Sequence, residues 1–488
     1  MNHILGDQDS AYFTEAQAAE YLRQLEKNYS LFQYCVGGYS VWQILKFEAS
    51  LRLKNLPARE QLTNSSRKRL NKRRLILPEI LRFLFPGHSD YVVRTTSSAL
   101  REKEAGFYKD VYFDDLIKEL GSVYKIERVN SPLYDDRRKA ALIPSAITTS
   151  TLELVVGWLT KLPASAEINR AADRISTILQ SEPALQALTP ARIMLVLKHF
   201  YWMKQLYQFL LWRIRPLCVL AENTKSGYPI WAAAKELGIS TVEVQHGIFS
   251  RNHPDVLSAS ATPYRKSLIV PDKIFLFGEY WRDELKKNRF YDRELVPVGS
   301  SQIDHYRQFR FEQQKHRSPE GQCMLLLTTQ GFSRDSLIRF IADFLQTADG
   351  KLDYSFYIKL HPAREIGKSI YEEAFGANPK VHILLGSEDP STYELLTKAD
   401  FHLSVASASH YDALGLGVPT IVLPLPGYET VMDLVDARYA YLARTPQDLL
   451  EFILASRTLL VPPDVSAYYF TPGAVQNMIR ELKAADRS

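Results

Sequence analysis

The sequence predicts an α/β fold of two Rossmann-like domains facing a central cleft. Three observations carry that expectation. Apolar strand-like runs alternate with helical segments on both sides of a polar stretch at 305–322. Histidine, glycine and serine gather where those runs end. The 488 residues exceed one ordinary domain.

In the first half, residues 91–94 and 123–129 read as strands around a helix at 114–120. The run 191–220 reads as a buried helix passing into a strand, because Lys198, Lys204, Arg213 and Arg215 interrupt it too often for a membrane span of about 20 apolar residues. A helix at 229–237 stopped by Gly238, strands at 241–245 and 273–277, a helix at 281–288 and a short strand at 295–298 follow. Short loops between alternating strands and helices imply parallel pairing.

The stretch 305–322 reads as a linker. A second series then begins, with strands at 323–327, 354–360, 380–385, 401–405, 419–425 and 440–443. Its helices fall at 333–346, 390–398, 409–416 and 446–456, and the first is expected to be capped by Ser333. The expected division is an acceptor-binding domain at 1–310 with helical N-terminal additions, and a nucleotide-sugar-binding domain at 311–470. A C-terminal helix at 471–488 is expected to pack back on the first domain.

The chain is 46% hydrophobic and 24% charged, a globular composition, with a net charge of +5 from 60 basic and 55 acidic residues. That excess calls for no nucleic-acid partner, yet it suits phosphorylated ligands or an anionic membrane. The densest basic run, 66–74, is the expected membrane contact. Cys35, Cys218 and Cys323 lie far apart, as reduced thiols do. No basic-then-apolar leader opens the sequence, and a cytoplasmic location, at the inner face of the membrane, is expected.

In the second half, His361 and Pro362 end a strand where ligands of open α/β sheets bind. Ser404, Ser407 and Ser409 span a strand end and a helix start, where hydroxyls and N–H groups can meet an anion. Ordinary capping explains the same serines. Asp412 on that helix can hold ribose hydroxyls or simply complement the helix dipole. Gln330, Gly331 and Ser333 form the first strand-to-helix loop of this half and a second phosphate or sugar contact.

In the first half, Gln245-His246-Gly247 ends a strand, and the glycine permits an abrupt turn that exposes the imidazole as a general base. Glu222 ends the preceding strand and is either a rival base or the group that orients His246. Arg251 and His253 can bind an anionic donor or acceptor, and Gly299 and Ser300 should line the cleft. No Asp-x-Asp pair stands at a strand end, so metal ligands are not expected. Leaving-group stabilisation would rest on His361, the serines and helix dipoles.

The stretch from Ser404 through Asp412-Ala413-Leu414 to Gly417-Val418-Pro419 resembles the donor-binding element of GT-B glycosyltransferases. His361-Pro362 with the following serines resembles the HP and serine motifs of bacterial sialyltransferases and related enzymes using CMP-activated sugars. This resemblance implies that His361 and either Ser407 or Ser409 contact the cytidylyl phosphate. Residues 244–248 resemble the His-Gly motif of capsule and teichoic-acid assembly enzymes, which implies His246 as base. Residues 248–254 depart from the teichoic-acid pattern.

The expected function is an inverting glycosyltransferase with no cofactor. It would move a Kdo or sialic-acid-type sugar from a CMP donor to a hydroxyl of a surface polysaccharide or glycolipid. The alternatives are a CDP-polyol phosphotransferase, a UDP-sugar-dependent GT-B enzyme or epimerase, and a non-catalytic glycan-binding export partner.

Overall fold

The computed structural model describes residues 13–54, 76–129, 135–222, 224–315, 321–331, 333–361, 365, 367–386 and 390–485. The basic run 66–74 and Pro362 lie outside these residues. Two compact units make up the chain. Unit 1 comprises Met1–Leu276, Trp281–Pro297 and Val475–Ser488; unit 2 comprises Phe277–Tyr280 and Val298–Ala474.

Unit 1 begins with a small hairpin, β1 (Cys35–Val36) and β2 (Tyr39–Ser40). Its main sheet has seven parallel strands: β3 (Tyr91–Thr96), β6 (Val123–Arg128), β7 (Ile147–Thr148), β8 (Cys218–Glu222), β9 (Ser240–Val244), β10 (Lys273–Leu276) and β11 (Leu295–Pro297). A second hairpin, β4 (Leu100–Glu104) and β5 (Phe107–Asp110), turns through Ala105 and Gly106, both at positive φ. The sheet order is β11-β10-β9-β8-β3-β6-β7.

Unit 2 is a six-stranded parallel sheet of β12 (Cys323–Thr328), β13 (Tyr354–Lys359), β14 (Val381–Leu384), β15 (Phe401–Ser404), β16 (Thr420–Val422) and β17 (Ala440–Leu442). Its order is β14-β13-β12-β15-β16-β17. Helices cover both faces of a parallel sheet, so its strands are nearly continuous apolar runs. Leu325, Leu327, Phe356, Ile358 and Leu403 accordingly bury against Ile341, Phe344 and Ile453. In unit 1, Val92, Ile126 and Val219 meet Phe200, Tyr207 and Leu211. Each such side chain contributes roughly 1.5–3 kcal/mol when fully buried.

The run 191–220 resolves into the helix Pro190–Ile214 followed by β8. Thr189 caps the helix by accepting the Arg192 N–H, and Pro190 starts it without losing a bonded N–H. Its buried face carries Ile193, Leu197, Phe200 and Tyr207, while Leu195, Phe209 and Trp212 are exposed. The helix is therefore not buried all round. Cys218 and Cys323 are buried free thiols and Cys35 is a partly buried one.

The stretch expected as a linker is instead mostly helix, Ser301–Lys315. Its polar composition concealed one packed face. Ile303 and Tyr306 are buried there, Tyr306 stacks on Tyr393 at 5.4 Å, and Arg310 donates to the carbonyls of Thr397 and Ala399 at 3.0 and 2.8 Å. A buried arginine is tolerated where it is hydrogen-bonded. The C-terminal helix Ala474–Ala485 lies almost wholly in unit 1, where Lys273 bonds the Glu481 carbonyl and carboxylate, each at 2.8 Å.

Candidate functional site

In unit 2 the strand order reverses between β12 and β15, because β13 and β14 continue to one side of β12 and β16 and β17 to the other. Outside the carboxyl ends of such a pair lies the ligand crevice of an open α/β sheet. Residues 329–331 follow β12 and residues 405–408 follow β15 at that place, and His361 follows the adjacent β13.

Glu365 holds this edge together. Its carboxylate is buried and accepts from the Thr329 hydroxyl, from the His361 N–H at 3.2 Å and from the Tyr371 hydroxyl at 2.7 Å. The His361 N–H also reaches Thr329 Oγ1 at 3.1 Å, and the Glu365 N–H returns to the His361 carbonyl at 3.0 Å. Burial first, and then the Glu365 bond, push the Tyr371 phenol well above its ordinary pKa. These bonds tie Glu365 to the end of β13, where the His361 side chain is half-buried. Neither Thr329 nor Glu365 was singled out from the sequence; the one available signal was an acid four residues after His361.

The serines divide in role. Ser404 is fully buried, and its hydroxyl donates to the Thr328 carbonyl at 2.6 Å, tying β15 to β12. Ser407 Oγ donates to Ser409 Oγ at 3.1 Å and accepts the Ser409 N–H at 3.2 Å. The helix Ser409–Gly415 is preceded by Ala408, which has no hydroxyl to cap it. The N–H groups of His410, Tyr411 and Asp412 bond back to the Ser407 and Ala408 carbonyls. Ser409, whose hydroxyl accepts from Ser407, is half-buried, as is Asp412 on the same helix.

In the first loop, Gly331 and Ser333 both have positive φ, 73° and 52°. Ser333 precedes the helix Arg334–Ala348, but its left-handed backbone gives no side-chain cap, contrary to the expected capping. Gln330 is half-buried between them and the strand end. Gly299 and Ser300 have structural work elsewhere in unit 2. A Cβ on Gly299 would stand 2.1 Å from the Thr471 carbonyl oxygen, and Ser300 Oγ accepts the Ile303 N–H at the start of Ser301–Lys315.

In unit 1 the order reverses between β3 and β8. Thr95 and Thr96 end β3, and Glu222 ends β8. Glu222 is 2% exposed, and its Oε2 has no hydrogen-bond partner among the described residues. Burial raises its pKa to about 7, against the opposing influence of Arg94, a Thr96 hydrogen bond and Arg128. Arg94 is itself fixed by the Tyr207 and Ser226 hydroxyls at 3.4 and 3.0 Å. A carboxyl balanced near neutrality at a strand end is suited to taking a proton.

His246 follows β9 and is half-buried. Tyr112 donates to its carbonyl at 2.8 Å, while Asp110 Oδ1 accepts the Tyr112 and Phe113 N–H groups at 3.0 and 3.2 Å. Gln245 Nε2 bonds the Gly247 carbonyl at 2.8 Å, tightening the turn. His253 packs on Phe249 and Phe47, with ring centroids 5.4 and 6.3 Å away, and accepts the Asp255 N–H. Burial, then the neighbouring His246, lowers its pKa to about 3. A neutral His253 offers no cationic attraction to an anion. Arg251 is exposed beside it.

Neither a protein-family model nor a curated protein sequence matches the chain. Solved structures do. UDP-GlcNAc 2-epimerase from Methanocaldococcus jannaschii is similar at TM-score 0.50 and 12% identity, over 81% of this chain and 99% of that one. UDP-GlcNAc 2-epimerase from Neisseria meningitidis, bound to UDP-GlcNAc, is similar at TM-score 0.48 and 14% identity, over 82% and 100%. The wall teichoic acid polymerase TagF is similar at TM-score 0.45 and 11% identity, over 91% and 98%. The likeness is one of fold: two Rossmann-like α/β units, each with a parallel sheet, of the GT-B class.

Proposed function

We propose that the chain is a glycosyltransferase that takes a sugar from a nucleotide-activated donor and passes it to a hydroxyl of a surface polysaccharide or glycolipid. The donor is CMP-activated, of Kdo or sialic-acid type, as the His361 and serine motifs suggest. The observation that carries the reading is Glu222, a buried carboxyl with a pKa of about 7 at the point where the strand order of unit 1 reverses.

Glu222 or His246 removes the acceptor proton. The acceptor oxygen then forms its bond to the anomeric carbon, and the bond to the donor phosphate breaks with its electrons on the departing CMP. His361 and Ser409 at the edge of unit 2 supply donors to that phosphate.

Thermal unfolding with CMP, CDP, UDP and GDP tests the reading. Stabilisation by CMP alone supports it, and preference for UDP or GDP overturns the donor. Donor turnover without any acceptor makes the chain an epimerase instead. Absence of any nucleotide shift leaves a glycan-binding partner.

A further inference from the structure

On the helix Ile76–Leu84 of unit 1, Leu77, Leu81 and Leu84 recur at i, i+4 and i+7, which places them on one face. That face points away from the protein: Leu77 is 68% exposed, and Phe85 just beyond the helix is 69% exposed. The other face is fastened down. Glu79 accepts from the Thr148 and Thr151 hydroxyls, the Arg82 carbonyl accepts from Tyr124 at 3.0 Å, and Phe83 packs on Phe209 at 5.6 Å. Phe209 leads on to Trp212 at 6.3 Å, and Trp212 is 54% exposed. The leucine stripe with Phe85 is one exposed apolar face, and Phe209 and Trp212, joined to the same helix through Phe83, add exposed rings to it.

Three arginines stand on, or at the end of, the two helices that carry it. Arg82, Arg213 and Arg215 are exposed, and the Arg213 guanidinium lies 5.9 Å over the Trp212 ring. In the sequence, Arg67, Lys68, Arg69, Lys72, Arg73 and Arg74 precede this helix. Apolar residues with tryptophan and a cationic border match an anionic lipid surface, where such a helix lies in the headgroup region with its apolar face sunk about 5–10 Å. No helix among the described residues is long and apolar enough to cross a membrane.

We propose that the face made by Leu77, Leu81, Leu84, Phe85, Phe209 and Trp212 docks the protein onto an anionic lipid bilayer.

Sedimentation of the full chain with vesicles tests this. Wild type should bind vesicles of phosphatidylcholine and phosphatidylglycerol, bind phosphatidylcholine alone far less, and lose binding as salt rises. The Leu77→Gln/Leu81→Gln variant keeps the whole basic run. It should retain its melting temperature and lose about a hundredfold in partitioning, roughly tenfold per leucine. Phe85→Ser, outside the helix, must show a loss in the same direction if the double variant does not fold. The proposal is overturned if wild type ignores anionic vesicles, if the leucine variant binds as well as wild type, or if that variant merely dissociates a self-associated wild type that does not bind lipid.

Discussion

The imidazoles of His402 and His410 meet edge to face, ring centroids 5.0 Å apart, and share one hydroxyl. Thr420 Oγ1 lies 2.8 Å from His402 Nδ1 and 2.6 Å from His410 Nδ1, while His402 Nε2 meets Thr328 Oγ1 at 2.9 Å. A hydroxyl has one proton, so it donates to one ring and accepts from the other, which forces complementary tautomers on the two histidines. This chain of bonds runs beneath the strand ends that carry Thr328 and Ser404.

Thr420→Val keeps the shape and removes the shared hydroxyl. Two buried ring nitrogens then lack partners, and the loss should be about 3 kcal/mol, against about 1 kcal/mol for one ordinary hydrogen bond. Chemical unfolding at neutral pH measures it.

Acid should weaken the same region. Burial holds His410 at about 3 and His402 well below its ordinary value, whereas both titrate near 6.5 in the unfolded chain. The unfolded state binds the extra protons, so stability is present above about pH 6.5 and falls as pH drops below it. Each histidine contributes about 1.4 kcal/mol per pH unit to that slope. His410→Gln should flatten the loss seen between pH 7.5 and 5.5 in denaturant titrations.

Glu222 has the opposite sign. Its folded pKa of about 7 exceeds the unfolded value, so the native state binds the extra proton between about pH 4.5 and 7. Stability from this group is full below that window and is lost as pH rises through it, by about 3 kcal/mol. Glu222→Gln should remove that decline in unfolding experiments at pH 5 and pH 8. In transfer assays the same variant should lose activity by two orders of magnitude or more. If it is His246 that takes the proton, His246→Ala rather than Glu222→Gln abolishes transfer, with donor binding nearly intact.

Gly299→Ala tests a backbone crossing. At φ 106° the added Cβ is strained, and it would meet the Thr471 carbonyl oxygen. A loss of about 3 kcal/mol or more in thermal unfolding is expected. Gly415→Ala, whose Cβ would lie 2.5 Å from the Phe470 ring, should act alike on the same segment.

Glu365→Ala should loosen the turn after β13, leaving the Thr329 and Tyr371 hydroxyls and the His361 N–H without their carboxylate. The expected cost is about 3 kcal/mol, together with weaker nucleotide stabilisation in the thermal assay.

The alternation of apolar runs such as 323–327 and 401–405 with helices was legible, since parallel strands covered on both faces leave a plain sequence signature. So was the placing of Glu222, His246 and His361 at or just after strand ends. The helix Ser301–Lys315 was not, because its packed face carries Ile303 beside a tyrosine and a carbonyl-bonded arginine rather than a run of aliphatic residues. Glu365 was hidden for another reason: its partner Thr329 is distant in sequence and is brought near only by pairing of β12 with β13. Ser404 looked like a ligand contact, yet its hydroxyl tie to Thr328 depends on the neighbouring strand, which no local pattern reveals.

Unit 1 draws its last helix, Ala474–Ala485, from beyond unit 2 in the sequence. As the ribosome makes the chain, Lys273 emerges long before Glu481. Where domains fold in the order of synthesis, unit 1 gains its Lys273–Glu481 bonds only after unit 2 has been made. Until translation has passed through the second unit, the flank near β10 lacks the helix that covers it in the finished chain.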